Sequence, residues 1–188
     1  MRSVVAAAFA LVALGFSGCG ERGVDWSAPE NMLYREHSTE QAGGALLEYW
    51  SLLDVPCAQV FDALVDIEHY PEFIPGVDSV SIVLQTPTSK TVQIAQRVIG
   101  RQSNAKVEWT FDRDRKKIDF RTLQSDLTYN DGHYQLEDSP DGKRCAVLSS
   151  YLVKEGKGLS LGAISQATRE TFMAAARGVR KRAAEPRS

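Results

Sequence analysis

Residues 60–80 read VFDALVDIEHYPEFIPGVDSV, and this stretch decides the fold of the chain. Its first half predicts an amphipathic helix, because its apolar residues recur at helical spacing while acidic residues fall between them. The apolar stripe consists of Val60, Ala63, Leu64 and Ile67. Pro71 suits the first turn of a second short helix, where its missing N–H costs nothing. Pro75 and Gly76 then end that helix and turn the chain into a strand.

Strands with alternating apolar and polar residues flank this helical corner. Residues 45–53 have apolar side chains at both odd and even positions, which predicts a strand buried on both faces. Asp54 suits the cap of the first helix. Six further strands are predicted at residues 79–85, 91–99, 105–112, 117–123, 132–137 and 144–153. The first of these six places Val80, Ile82 and Leu84 on one face. An apolar stripe over residues 159–183 predicts a long closing helix that lies across the sheet.

The helical corner resembles a known superfamily. A helix that ends in D-x-x-x-Y-P-x-F-x-P-G-V before a strand is similar to the START-like (SRPBCC) superfamily, most closely its polyketide cyclase and coenzyme Q-binding branch. The matching residues are Asp66, Tyr70, Pro71, Phe73, Pro75, Gly76 and Val77. The resemblance covers residues 44–183 and implies an α+β helix-grip fold. That fold has a curved seven-stranded antiparallel sheet, two short helices and a long C-terminal helix.

A helix-grip fold leaves a cavity between sheet and helix, which suits a hydrophobic small molecule. Strand parity, helix spacing and the corner together predict which side chains line it. These are Tyr70, Phe73, Val107, Trp109, Phe111, Ile118, Phe120, Tyr134, Leu136, Ile164 and Phe172, with Thr168 beside them. The alternative for each residue is plain core packing, since inward aromatic residues on strands commonly fill a core.

The N-terminus predicts export. Residues 4–16 form an apolar run behind Arg2, too short to span a membrane and typical of a signal peptide over residues 1–18. Small residues precede Cys19, which resembles the bacterial lipobox and implies lipidation of that cysteine. We therefore expect an exported protein anchored to a membrane of the bacterial envelope, the outer one if the host has two. The alternative is an ordinary secreted protein in which Cys19 is incidental.

Composition completes the predicted organisation. A lipid-anchored tether over residues 19–43 precedes the START-like domain at residues 44–184, and residues 185–188 form a tail. Within the tether, Trp26, Met32, Leu33 and Tyr34 are apolar enough to pack as a short strand or turn. The 188 residues are 43% hydrophobic, which suits one globular domain. The net charge of −2 gives no reason to expect nucleic acid, whose binders concentrate basic charge on one face. We expect a monomer.

Motifs for catalysis and metal binding are missing from the sequence. No C-x₂-C, H-E-x-x-H or G-x-S-x-G occurs, and none of the three histidines belongs to a recognisable nucleophile arrangement with a Ser, Cys or acid. We assign no catalytic residue and expect neither a metal nor a cofactor. Asp66, Glu68, His69 and Glu72 cluster in the corner, and an exposed helix corner accounts for them.

Two cysteines remain, and the resemblance implies how they are placed. In a helix-grip arrangement the first and last strands are antiparallel neighbours, so Cys57, just past the end of one, lies near Cys145, at the start of the other. An exported protein can hold disulfides, so we predict that these two are bonded. The alternative is a pair of buried free thiols.

The sequence thus predicts a membrane-tethered protein that binds or transfers a lipid, a quinone or a polyketide-like compound. Two alternatives stay open. One is a cyclase or dehydratase that uses Tyr134, His69 or nearby acids on such a ligand. The other is a structural envelope lipoprotein whose own side chains fill the cavity. A hollow, apolar cavity favours the binding protein, and a filled one favours the structural protein.

Overall fold

A computed structural model describes residues 23–41, 44–127, 130–154, 158 and 160–185 of the chain. The predicted signal peptide, its lipidation site Cys19 and the last residues of the tail lie outside the described residues. Within the described part, no helix is long and apolar enough to cross a membrane.

Eight strands and three helices follow one another along the described part of the chain. The strands are β1 (Met32–Gln41), β2 (Gly44–Leu53), β3 (Val77–Thr86), β4 (Ser89–Val98), β5 (Arg101–Asp112), β6 (Lys117–Ser125), β7 (Asn130–Asp138) and β8 (Cys145–Lys154). The helices are α1 (Cys57–Val65), α2 (Tyr70–Phe73) and α3 (Leu161–Ala184), with a single 3₁₀ turn between α1 and α2. The helical corner, the six strands after it and the closing helix are therefore all as predicted.

The strands form one antiparallel sheet in the order β1-β2-β8-β7-β6-β5-β4-β3. The helix-grip fold is confirmed, but the sheet has eight strands where the sequence predicts seven. The additional strand is β1, which pairs along β2 and lies in the segment predicted as a tether. The sequence indicates only a short strand or turn at the first residues of β1, because the side chains of residues 36–40 are exposed and follow no apolar period.

Strand β3 departs from its predicted alternation. Ile82 and Leu84, predicted to share one apolar face with Val80, are 37% and 61% exposed. The register with β4 slips between them, so Val83 has no partner and forms a β-bulge. Because β3 is also the last strand of the sheet, only β4 pairs with it, and its far half stays in solvent.

Helix α3 carries the predicted apolar stripe and packs it onto the sheet. Ile164, Phe172, Val179 and Ala183 are the buried residues of the helix. Ser160 caps its first turn by accepting a hydrogen bond from the backbone N–H of Ala163. Near its C-terminus α3 passes so close to α2 that a Cβ at Gly178 would overlap the carbonyl oxygen of Phe73.

One end of the sheet, here called the closed end, carries the start of β8 and the start of α1. Cys57 and Cys145 form a disulfide there, with their Cα atoms 4.7 Å apart. The sequence predicts that Asp54 caps α1, but no side-chain hydrogen bond caps this helix. Instead the two carboxylate oxygens of Asp54 accept hydrogen bonds of 2.7 Å from Arg180 of α3. Arg182 donates from two nitrogens to one carboxylate oxygen of Asp66, at 2.8 and 3.1 Å, so α3 is tied to the residues on either side of α1.

The opposite end, here called the open end, carries the turn from α2 into β3, the end of β4 and the start of α3. Gly76 takes a φ of +87° in that turn, a conformation that glycine adopts without strain. Pro75, Gly76 and Arg97 are exposed at this end. The core of the molecule therefore has one end fastened by covalent and ionic links and one end that borders solvent.

Candidate functional site

A cavity of about 210 Å³ lies between the sheet and α3. Its wall includes buried residues such as Val107 and Ile164 together with the exposed Pro75, Arg97 and Thr171 of the open end. The buried residues form the floor, and the exposed ones surround an opening to solvent at that end. The core is therefore hollow and is not filled by its own side chains.

Eight of the residues considered from the sequence line this cavity, and four do not. Those in its wall are Tyr70, Val107, Trp109, Phe120, Tyr134, Ile164, Thr168 and Phe172. Phe111, Ile118 and Leu136 belong to the packed core instead, near the β5–β6 turn at the closed end. Phe73 packs edge-on against Tyr70, with ring centroids 5.5 Å apart, under the guanidinium of Arg182.

Several wall residues are not among the sequence predictions. The clearest is Tyr151 on β8, whose inward parity the sequence pattern could have revealed. Leu64 of α1, Ile94 of β4 and Ala105 of β5 also line the cavity, as do Ala167, Thr171 and Ala175 on one face of α3. The small residues of α3 leave the space that the larger wall residues enclose.

Aromatic rings dominate one side of the cavity. Trp109 lies between Phe120 and Tyr70, with ring centroids 5.1 and 6.1 Å away, and it stacks on Tyr134 at 6.2 Å. Tyr151 completes this wall at 5.6 Å from Phe120. These rings present flat apolar faces, which favour a ligand with a planar ring.

Buried polar groups interrupt the apolar wall. The hydroxyl of Tyr151 donates to the hydroxyl of Tyr134 over 3.2 Å. The indole N–H of Trp109 and the side-chain oxygen of Asn130 are buried, and neither has a hydrogen-bond partner in the described part of the chain. Burial raises the pKa of both tyrosines, so both hydroxyls keep their protons at neutral pH.

Charged groups lie outside the cavity, except at its opening. Arg97 is the only charged residue in the described wall, and it is exposed and pairs with Asp78 at 3.4 Å. His69 and Asp66 form an ion pair of 2.5 Å in the corner, and neither lines the cavity. Among the described residues, no three His, Cys, Asp or Glu side chains are grouped so as to hold a metal.

Comparison with solved structures agrees with this architecture. The aromatase/cyclase Zhui from Streptomyces sp. R1128 superposes with a TM-score of 0.66 at 17% identity, over 73% of this chain and 92% of that one. A START superfamily protein from Mycobacterium smegmatis gives 0.64 at 12% identity, over 73% and 95%. A STAR-related lipid transfer protein from Xanthomonas axonopodis gives 0.63 at 13% identity, over 80% and 92%. At these identities the likeness shows the fold alone.

Sequence comparison gives the family. No curated protein matches this chain in sequence. The sequence profile described as "Polyketide cyclase / dehydrase and lipid transport" matches residues 53–177, from the last residue of β2 into the C-terminal half of α3. This span includes the helical corner and most of the cavity wall. The chain belongs to the polyketide cyclase/dehydrase and lipid transport family.

Proposed function

We propose that this protein binds and carries a hydrophobic small molecule in the cavity beneath α3. The observation that carries the proposal is a hollow core with an aromatic wall and an opening at one end. A concave, mostly apolar pocket with a few polar groups is the common form of a small-molecule site. A structural protein would fill this volume, because voids in a core are destabilising.

A binding role fits the wall better than catalysis does. The described wall contains no histidine and no carboxylate, so it offers no general base. The two tyrosine hydroxyls have raised pKa values and are weaker acids than usual. The corner acids and His69, the alternative catalytic group, lie outside the cavity and do not converge with Tyr134.

The volume of the cavity restricts the ligand to a small one. An engineered apolar cavity of about 150 Å³ binds benzene. At about 210 Å³ this cavity accommodates a substituted ring or two fused rings. A lipid with two acyl chains, or the full chain of an isoprenoid quinone, requires that α3 move outward or that most of the molecule stay outside.

The proposal places the protein on the outer side of a bacterial membrane, anchored through Cys19. The support is the apolar run and small residues before Cys19, together with the Cys57–Cys145 disulfide, a bond that persists in oxidising compartments. An anchor beside a bilayer keeps the cavity next to a source of hydrophobic molecules. Labelling with radioactive palmitate tests this point: the label should enter the full chain and be lost in Cys19→Ser, and an unlabelled wild type refutes the anchor.

Native mass spectrometry tests the binding function. The full chain is expressed in a bacterium, purified and measured under native and denaturing conditions, and whatever dissociates is extracted and identified. We expect one adduct per chain under native conditions and none under denaturing ones. A clean apo mass that persists after incubation with lipid and quinone extracts would contradict a carrier function.

A further inference from the structure

One buried hydrogen-bond donor of the wall has no acceptor in the described chain. An indole N–H donates and cannot accept, and a buried donor without a partner costs about 1–3 kcal/mol. Trp109 is 6% exposed, and its N–H has no acceptor among the described residues. Tyr70, by contrast, lines the same cavity and donates its hydroxyl proton to the carbonyl of Leu64 over 2.6 Å.

The tyrosine pair holds a second unused proton. Two hydroxyls carry two protons, and the single hydrogen bond between Tyr151 and Tyr134 uses one of them. The hydroxyl of Tyr134 accepts in this bond and donates to no other described atom. The rings of Trp109 and Tyr134 are stacked neighbours with centroids 6.2 Å apart. The two unused donors therefore belong to neighbouring residues of one aromatic wall.

Resting on the proposed function, we infer that Trp109 and the Tyr134–Tyr151 pair form a polar subsite that selects ligands with a neutral oxygen acceptor on a planar ring. A carbonyl oxygen is the simplest such group, since it has two lone pairs and can accept from both donors. A pure hydrocarbon leaves both donors unsatisfied. A carboxylate is disfavoured because the only cation of the described wall, Arg97, is at the opening.

Three probes of nearly equal shape separate these cases. 2-Acetylnaphthalene carries a ketone, 2-isopropylnaphthalene replaces the ketone oxygen by a methyl group, and 2-naphthoate carries an anionic carboxylate in the same place. Equilibrium dialysis against the full chain gives a dissociation constant for each. We expect the ketone to bind more tightly than the carboxylate by at least about tenfold, and both uncharged probes to bind.

Variants then assign the difference to the donors. Trp109→Phe removes the indole N–H, and Tyr134→Phe/Tyr151→Phe removes both hydroxyls. A neutral hydrogen bond contributes about 0.5–1.5 kcal/mol, so each variant should weaken ketone binding about three- to tenfold. Because the same variants also change the shape of the wall, the readout is the ratio of ketone to hydrocarbon affinity, which should fall about three- to tenfold, and circular dichroism shows that each variant is folded. Tyr49→Phe is the matched control, because Tyr49 is buried and stacks on Phe172 but does not line the cavity.

The outcomes distinguish the subsite from the cavity itself. Equal losses for ketone and hydrocarbon in both variants would overturn the subsite and leave the carrier function standing, because the residues would then act through shape alone. Tighter binding of 2-naphthoate than of the ketone would also overturn it. Failure of all three probes to bind the wild type would overturn the carrier function together with the subsite.

Discussion

The two ends of the molecule are built differently, although the same sheet and the same long helix reach both. At the closed end α3 is tied to the corner by the Arg180–Asp54 and Arg182–Asp66 pairs, next to the Cys57–Cys145 disulfide. At the open end α3 lies over the cavity, with small side chains such as Ala167 in its wall. The difference suggests a division of tasks: the closed end supplies stability and the open end admits the ligand.

The largest effect should come from the disulfide. Cys57 and Cys145 are 88 residues apart, and closing a loop of that length contributes about 4.6 kcal/mol in the chain-entropy account. Cys57→Ala/Cys145→Ala should therefore lower the melting temperature by about 10 °C. Wild type treated with a reductant is the control and should melt with the double variant. Equal melting temperatures for oxidised wild type and variant would show that the bond contributes nothing.

Replacement of glycine by alanine at two positions of α3 should change the free energy of unfolding in opposite directions at the two ends. Gly178→Ala places a methyl group against the Phe73 carbonyl and should destabilise by about 2 kcal/mol, as overpacking typically does. Gly162→Ala has no atom within 4 Å of the new Cβ and should stabilise by up to about 1 kcal/mol through helix propensity. Urea denaturation of both variants measures these two changes in the free energy of unfolding.

Stabilisation by Gly178→Ala would mean that α3 does not approach α2 as closely as described. Destabilisation by Gly162→Ala would mean that the open end of α3 is more tightly packed than described.

Filling the opening should impair binding and leave stability almost unchanged. Ala167→Trp directs a large side chain into the cavity and should weaken 2-acetylnaphthalene binding at least tenfold, about 1.4 kcal/mol. The free energy of unfolding should change by less than about 1 kcal/mol, since the new side chain enters existing space. Gln166→Trp is the control on the adjacent exposed position. Equal binding by both variants would place the ligand elsewhere.

The smallest expected effect is on the pH dependence of stability, through the Asp54–Arg180 pair at the closed end. The hydrogen bond from Arg180 holds the pKa of Asp54 below its ordinary value. A depressed folded-state pKa gives stability that is present above the unfolded-state pKa and is lost as pH falls through the folded one. Asp54→Asn should therefore be less stable than wild type at pH 7, and the gap should close below about pH 4. The exposed Asp114→Asn is the control, and a gap that persists at pH 2 would contradict the role of this pair.

The fold was largely predictable from sequence because its strands are half-buried and its helices are amphipathic. Val107 and Trp109 alternate with Lys106 and Glu108, and this alternation is maintained in β5. Strand β1 was predicted only as a short strand or turn at its first residues, because it is an edge strand that is exposed over most of its length. Its pairing with β2 uses backbone groups, which leave no trace in the side-chain pattern. The bulge at Val83 escaped prediction for a similar reason.

The lining of the cavity was only partly predictable. The alternation of residues shows which face of a strand a side chain is on, but it does not show whether that position along the strand lies at the cavity or in the packed core. Trp109 and Phe111 share one face of β5, yet Trp109 lines the cavity while Phe111 pairs with Ile118 near the closed end. Whether a position lies at the cavity depends on where α3 crosses the sheet, which is set by contacts such as Gly178 against Phe73. No local pattern in the sequence encodes that crossing point.

Solution NMR of the three tryptophan indole N–H groups tests the central claim, binding inside this cavity, most directly. Trp109 lines the cavity, whereas Trp26 and Trp50 contact Arg144 and Arg35 outside it. Titration of the ¹⁵N-labelled full chain with 2-acetylnaphthalene should shift the Trp109 signal saturably and leave the other two in place. Equal movement of all three signals, or of none, would contradict binding of this probe within the cavity.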